Sequence, residues 1–331
     1  MPTTIDEGEF EGQRAVVLAS ERARVVVLPR IGGKIASVLD RTTGHDVLWR
    51  HPDRGYREAA YEGPWTASDM GGWEDCLPTV AAGPYPTWPW QATELPEHGE
   101  VWALPWVAEM VDGGVMLRVH GVRLPYHFEK RVTLEGNRVR LSHRITNPSA
   151  FPIHYLWAAH PLFRVRPGMR IALPEGGRGR VDWSRDGRLG VYLDAVSWPE
   201  TRDMRGVVTQ LDRIGTPTLG HADKLYIAAG GEGWCGLHDP ESEQALALRF
   251  DPRRLPYVGV WINQGGWPLD APACYNVALE PTNGYPDLLH IAHARGTAAT
   301  IAPQESQEWE VTLSFGRAAS VRALLGMTVF A

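Results

Sequence analysis

"KRVTLEGNRVRLSHRIT", residues 130–146, decides how the rest of the chain is read. Val132 and Leu134 alternate with polar residues, Gly136 and Asn137 make a turn, and Val139, Leu141 and Ile145 resume the alternation. Successive side chains of a strand point to opposite faces, so this period of two marks a hairpin with one buried face. "EWEVTLSFG" (308–316) repeats the pattern, with Trp309, Val311, Leu313 and Phe315 on one face. Helical periodicity is weak throughout. The 35 Gly and 26 Pro punctuate the chain at short intervals, which suits many short strands. The expectation is an all-β chain, a large antiparallel β-sandwich with few short helices. Residues 1–331 are expected to form one domain, since sandwiches of more than ~200 residues can do so.

Bulk properties narrow the function classes. A hydrophobic content of 44% gives the 331 residues enough apolar mass for a sizeable core. A net charge of −6 and a pI near 6.1 offer no electrostatic footprint for nucleic acid and no polybasic segment for a membrane surface. No stretch approaches the roughly 18 apolar residues of a membrane span. The opening "MPTTIDEGEF" lacks the basic start and apolar core of a secretory leader. Cys76, Cys235 and Cys274 are an odd number, far apart and without CxxC spacing, against both a disulfide framework and a zinc knuckle. A reduced, cytoplasmic setting follows as the expectation. Trp (14) outnumbers Tyr (10) and Phe (7). Indoles can simply fill a wide β core, but they also offer large flat surfaces suited to the apolar faces of sugars.

Three ionisable residues sit in unusual places. His160 lies inside the buried-looking run "YLWAAHPLF" (155–163) and is followed by Pro161. A buried imidazole needs a hydrogen-bonding partner. Glu280 in "YNVALEPTNGYPD" (275–287) ends an apolar run and is followed by Pro281. Proline cannot donate to a sheet ladder, so both strands are expected to stop or bend there. His98 precedes Gly99 in "PEHGEVWALPW" (96–106). Taken singly, these read as a satisfied core histidine, a strand-end carboxylate and a turn residue; together they suggest a site. "GGWEDC" (71–76) adds Trp73, Glu74 and Asp75, the carboxylates being candidate acceptors for sugar hydroxyls, and "VWINQGGW" (260–267) adds Trp261 for stacking and Asn263 for hydrogen bonding.

The remaining signals are weak. "RIGGK" (30–34) lacks the spacing of a phosphate-binding loop. No Cys/His/carboxylate group has the close, regular spacing of a zinc or calcium cage, so neither metal nor cofactor is expected. The other ten histidines read as surface or structural, and Arg253 and Arg254 as exposed. "PYPTWPWQATELPEHG" (84–99) and "WINQGGWPLDAPACY" (261–275) are expected to be irregular. The apolar ending "RALLGMTVFA" (322–331) fits a last strand, a docked tail or a partner contact equally well.

At these residues the sequence resembles the aldose 1-epimerase (galactose mutarotase-like) family. "LPRIGGKIASVLDRTTGHDVLW" (28–49) looks like that family's opening, "HGEVWALPW" (98–106) its His-Gly segment, "WAAHPLF" (157–163) its second histidine and "ALEPTNGYPD" (278–287) its glutamate strand. "ADKLYIA" (222–228) and the closing "EWEVTLSFG" fit more loosely. The resemblance implies a sugar site on one concave sheet of a sandwich. It further implies Glu280 as general base, His160 as general acid and His98 as a ligand of sugar oxygens. The family's Asn-x-Arg substrate segment has no clear match; "SDMGGWEDCLPTV" (68–80) occupies that region. The implied activity is anomer interconversion of a free aldohexose. Alternatives are a hexose-phosphate epimerase on the same fold and a non-catalytic carbohydrate-binding or sensing sandwich.

Overall fold

The computed structural model describes residues 3–327. Two antiparallel sheets carry the architecture. The first has twelve strands. Its middle runs Lys34–Asp40, Trp73–Cys76, Ala158–Phe163, Tyr275–Thr282, Tyr257–Gln264, His221–Ala228 and Arg178–Ser184 in spatial order. The second has eight strands, centred on Gln244–Phe250, Ser306–Arg317, Arg138–Thr146 and His127–Glu135. The α-helices among the described residues are short, Leu289–Ala294 and Val321–Leu324. None is long and apolar enough to cross a membrane.

The hairpin forms as its alternation predicts. His127–Glu135 pairs with Arg138–Thr146, closing at Glu135 opposite Arg138. Gly136 holds φ at +58°, a region that L side chains enter only at a cost. Val132, Leu134, Val139, Leu141 and Ile145 are all buried, and so are Trp309, Val311, Leu313 and Phe315 on the strand paired alongside. The two sheets pack face to face through one apolar cluster that joins these side chains to Ile35, Trp73, Phe163, Leu225, Val260 and Leu279 of the first sheet. Cys76, Cys235 and Cys274 are free and buried.

Two local expectations are corrected. The strands carrying His160 and Glu280 do not stop at their prolines, but continue to Phe163 and Thr282. The ladder between them pairs Ala158 with Thr282 and resumes at Leu162 with Ala278. Both prolines fall in that gap, while on their other sides Pro161 stays in register with Trp73 and Pro281 with Val258. "WINQGGWPLDAPACY" is not irregular from its start. Its first four residues complete the strand Tyr257–Gln264, because Val258, Val260 and Ile262 keep the inward alternation going. The segment 84–99 is irregular except for a two-residue ladder, Gly83–Pro84 with Glu94–Leu95. Of the C-terminal run, Val321–Leu324 is a helix whose Val321 packs on Trp234 and Ala247; residues 328–331 lie outside the described residues.

Candidate active site

Pleating sorts the central strands into two faces. Trp73, Ala159, Leu279, Leu225 and Val260 point into the core, which leaves Glu74, His160, Glu280, Lys224 and Trp261 on the outer face. There a cleft of about 260 Å³ is lined by His98, His160, Glu280, Lys224, Asn276, Asp182 and Asp287, with Trp65, Trp183, Trp261 and Trp267 among its walls. Four of the 14 tryptophans therefore line one cavity. Trp261 stands edge-on to Trp267 at 5.6 Å between ring centroids, and Trp65 stacks on Trp267 at 6.0 Å.

The histidines share one carboxylate. Glu74 Oε1 lies 3.0 Å from His98 Nδ1 and 3.6 Å from His160 Nδ1, and it accepts from the indole N–H of Trp65. Its other oxygen is 3.1 Å from Lys34 Nζ, which also donates to Asp69. Burial opposes ionisation of Glu74 most strongly, but Lys34 and the neighbouring His160 and His98 rings together hold it well below the usual carboxylate range. Burial lowers the pKa of His160 from the ordinary histidine value, while Glu74 works in the opposite direction. His98 itself sits at φ +59°, a left-handed conformation that a non-glycine residue rarely adopts. Gly99 follows at φ +71°, where a Cβ would come within 2.0 Å of the Leu77 carbonyl oxygen. This tight turn carries the His98 ring to 4.6 Å from that of His160. Strain of this kind clusters at functional sites.

The facing wall is acidic. Glu280 is 0% exposed, its Oε2 is paired with Lys224 and its Oε1 has no partner. Lys224 Nζ also lies 3.9 Å from Asp287 Oδ1, which accepts from the Tyr226 hydroxyl. The backbone N–H of Asp287 donates to Asp182 Oδ1 at 3.1 Å. Burial and the neighbouring Asp287 push the Asp182 carboxyl up to about 8.

The cleft thus brings together Glu280, His160, His98 and Trp261, and does not bring in four other sequence candidates. Glu74 stands behind the histidines, its Oε1 accepting from Trp65 and facing His98 and its Oε2 beside the Lys34 ammonium. Trp73 is buried in the core. Asp75 is 0% exposed between the sheets, accepting from Lys130 Nζ at 2.7 Å and from the Trp157 indole at 3.0 Å. Adjacent residues on a strand face opposite ways, so Glu74 and Asp75 cannot share a site. Asn263 is spent on a turn, accepting from the N–H groups of Gly266 and Trp267 and donating to the Trp267 carbonyl. Sequence reasoning missed Lys224, Asn276, Asp182, Asp287 and Trp267. Asn276 could have been found, since it precedes Glu280 by an even number of residues on the same strand. Lys224, in "ADKLYIA", pairs opposite Trp261, a partnership that only the sheet register reveals.

Glu74, His98 and His160 offer donor atoms within 4.8 Å of one another. The spacing would suit a metal ion, but a cation already stands beside Glu74: Lys34 Nζ, shared with Asp69, lies 3.1 Å from Oε2. "RIGGK" is likewise no anion cradle. A Cβ on Gly33 would meet Trp106 at 2.9 Å, so the loop is glycine-rich for packing.

Comparisons with known proteins agree with this geometry at the level of fold. Family models match two parts of the sequence, "Domain of unknown function (DUF5107)" over residues 7–98 and "Domain of unknown function (DUF4432)" over residues 186–315. No curated protein matches the sequence. Among solved structures, the Slr1438 protein of Synechocystis sp. PCC 6803 is 17% identical with a TM-score of 0.67, over 96% of this chain and 97% of that one. A protein of Escherichia coli K12, provisionally named an aldose 1-epimerase, is 17% identical with a TM-score of 0.64, over 96% and 100%. A galactose mutarotase-like protein of Clostridium acetobutylicum is 11% identical with a TM-score of 0.67, over 96% and 99%. The chain has the galactose mutarotase-like fold.

Within that mutarotase-like fold, the cleft combines flat indole faces with unpartnered polar atoms. Indoles supply stacking surface. A buried carboxylate oxygen of Glu280 and the buried side-chain oxygen of Asn276 have no protein partner. Such acceptors are costly unless a ligand or water donates to them.

Proposed function

We propose that the chain is an aldose 1-epimerase, a cofactor-independent isomerase that interconverts the α and β anomers of a free aldohexose, acting in a reducing, cytoplasmic compartment. Glu280 is the base and His160 the acid. Glu280 Oε1 takes the proton from the O1 hydroxyl as protonated His160 gives one to the ring oxygen. The bond from C1 to the ring oxygen breaks and C1=O1 forms. After rotation about C1–C2, the oxygen attacks the other face, His160 recovers its proton and Glu280 returns the first one to O1. Protons balance over the cycle and nothing is oxidised. His98 binds and orients sugar oxygens, and Trp261, Trp65 and Trp267 hold the ring's apolar side.

The observation that carries this reading is the unpartnered, buried Oε1 of Glu280 in the same cleft as His160. A non-catalytic sugar binder has no need of both. A hexose-phosphate substrate is disfavoured because phosphate calls for convergent Arg or Lys, whereas Lys224 is already engaged by Glu280. The test is anomer exchange of D-glucose and D-galactose followed by NMR or polarimetry. Glu280→Gln should lower kcat/KM by about 10²–10⁴-fold, the usual contribution of one positioned acid or base. A variant that stays folded and exchanges at the wild-type rate would overturn the proposal.

A further inference from the structure

Carboxylates outnumber fixed cations in the cleft. Among the described residues that line it, Glu97, Asp182, Asp287 and Glu280 are carboxylates, and Lys224 supplies the fixed positive charge. That ammonium is bound to Glu280 and stands 3.9 Å from Asp287. Buried carboxylates this close cannot all be ionised around one cation. The molecule's answer is a proton held on Asp182, whose carboxyl burial and Asp287 raise to about 8. A second, independent observation concerns buried cleft-wall atoms without hydrogen-bond partners: His160 Nδ1 faces Glu74 at 3.6 Å, and the other two, Glu280 Oε1 and Asn276 Oδ1, are acceptors with no protein group facing them. A ligand completing this cavity must bring donors, and a positive charge would replace the proton on Asp182. A neutral hexose brings hydroxyl donors but no charge. A sugar ammonium brings three donors and the charge together. Trp183 follows Asp182 in the chain and faces Trp261 at 6.0 Å between centroids, so aromatic faces, which attract cations, flank the same corner.

We infer that the sugar taken by this cleft is an amino sugar, its protonated amine seated against Asp182 and Asp287. The inference rests on the mutarotase reading for its catalytic context and deepens it by naming the substrate class. Amine position on the ring follows from the distance between this corner and Glu280, so a series is needed rather than one compound.

The experiment uses the full chain near neutral pH. D-glucosamine, D-galactosamine and hexoses bearing the amine at each other carbon are compared with D-glucose, D-galactose and N-acetyl-D-glucosamine. Binding is read by calorimetry and anomer exchange by NMR. At least one amino sugar should exceed its parent hexose by about 10- to 100-fold, the range expected of a hydrogen bond to a charged group, and N-acetylation should abolish the advantage. In Asp182→Asn the ratio of amino to neutral sugar should fall to near one. Should that variant fail to fold, the wild-type ratios decide the matter. Exchange of neutral hexoses with no amino sugar preferred overturns this inference and leaves the mutarotase reading standing. Amine-dependent binding without exchange of any sugar overturns the mutarotase reading and supports this one.

Discussion

Glu74 is the residue on which the site's acid–base behaviour turns. It touches both ring Nδ1 atoms, and so acts through the histidines as a positioning residue. The acid step requires protonated His160. Burial lowers that ring's pKa and the Glu74 contact raises it, with burial the larger effect. Activity of the free enzyme should therefore be lost as pH rises through a value below the ordinary histidine pKa. Glu74→Gln removes the raising contribution, so this alkaline limb should move to lower pH, with kcat falling more than KM changes. Anomer exchange measured across a pH series reads the limb directly, and a limb that stays put or moves upward would show that Glu74 does not govern His160. Chelation gives a companion check. With Lys34 occupying the counter-ion position beside Glu74, dialysis against EDTA should leave the exchange rate unchanged. Loss of activity restored by one divalent ion would mean that Glu74, His98 and His160 hold a metal. The sequence pointed to Glu280, His160 and His98, because each interrupts an apolar run or a glycine turn. It could not tell that Glu74 serves the histidines instead of a sugar, since that depends on contacts made across the cleft.

A single short strand, Trp73–Cys76, shows how an element divides its labour. Glu74 faces the cleft wall and Asp75 the core, where Lys130 reaches across from the other sheet and His143 Nε2 stands 3.2 Å away. Burial raises the Asp75 carboxyl most, but Lys130 and His143 overcome it and hold the group far below its ordinary range. Asp75→Ala should cost about 3–5 kcal/mol, the usual penalty for leaving a buried partner charge uncompensated. The measurement is the midpoint of urea unfolding. A loss below about 1 kcal/mol would mean that water or another group takes over from Asp75. Because the folded carboxyl titrates lower than the unfolded one, its contribution is complete above the ordinary carboxylate pKa and disappears as pH falls towards the depressed folded value. Alternation was readable from the sequence for the hairpin at 130–146, where polar and apolar residues differ plainly. In "GGWEDC" both faces carry charge, so only the sheet register decides which carboxylate goes where. Pro161 and Pro281 taught the same lesson: each looked like a strand end, yet both fall in one gap of the ladder between the two strands and stay in register with the strands on their other sides.

Across the whole molecule, the fold gathers charge that the chain's composition only hints at. A net charge of −6 over 331 residues is modest, yet Glu97, Asp182, Asp287 and Glu280 converge on one cleft beside Lys224. The gathering follows from topology. Strands distant in sequence become neighbours in the twelve-stranded sheet, and the face turned from the core collects their alternate residues. Fold class was readable from period-two patterning and the Gly and Pro punctuation, whereas the charge of the site was not, because Lys224, Asp182 and Asp287 look ordinary until register aligns them. The charge sets a consequence for specificity that does not depend on which hydroxyls are read. An anionic substituent entering this cleft meets surplus carboxylates, and the nearest ammonium is bound to the base itself. Like charges brought together at a desolvated site cost several kcal/mol. Glucose 6-phosphate should therefore be exchanged with kcat/KM at least about tenfold below that of glucose. Raising the salt concentration should narrow the gap by screening the repulsion. Equal rates for the two sugars, or a preference for the phosphorylated one, would mean that the acidic wall is not where the rest of the substrate lies.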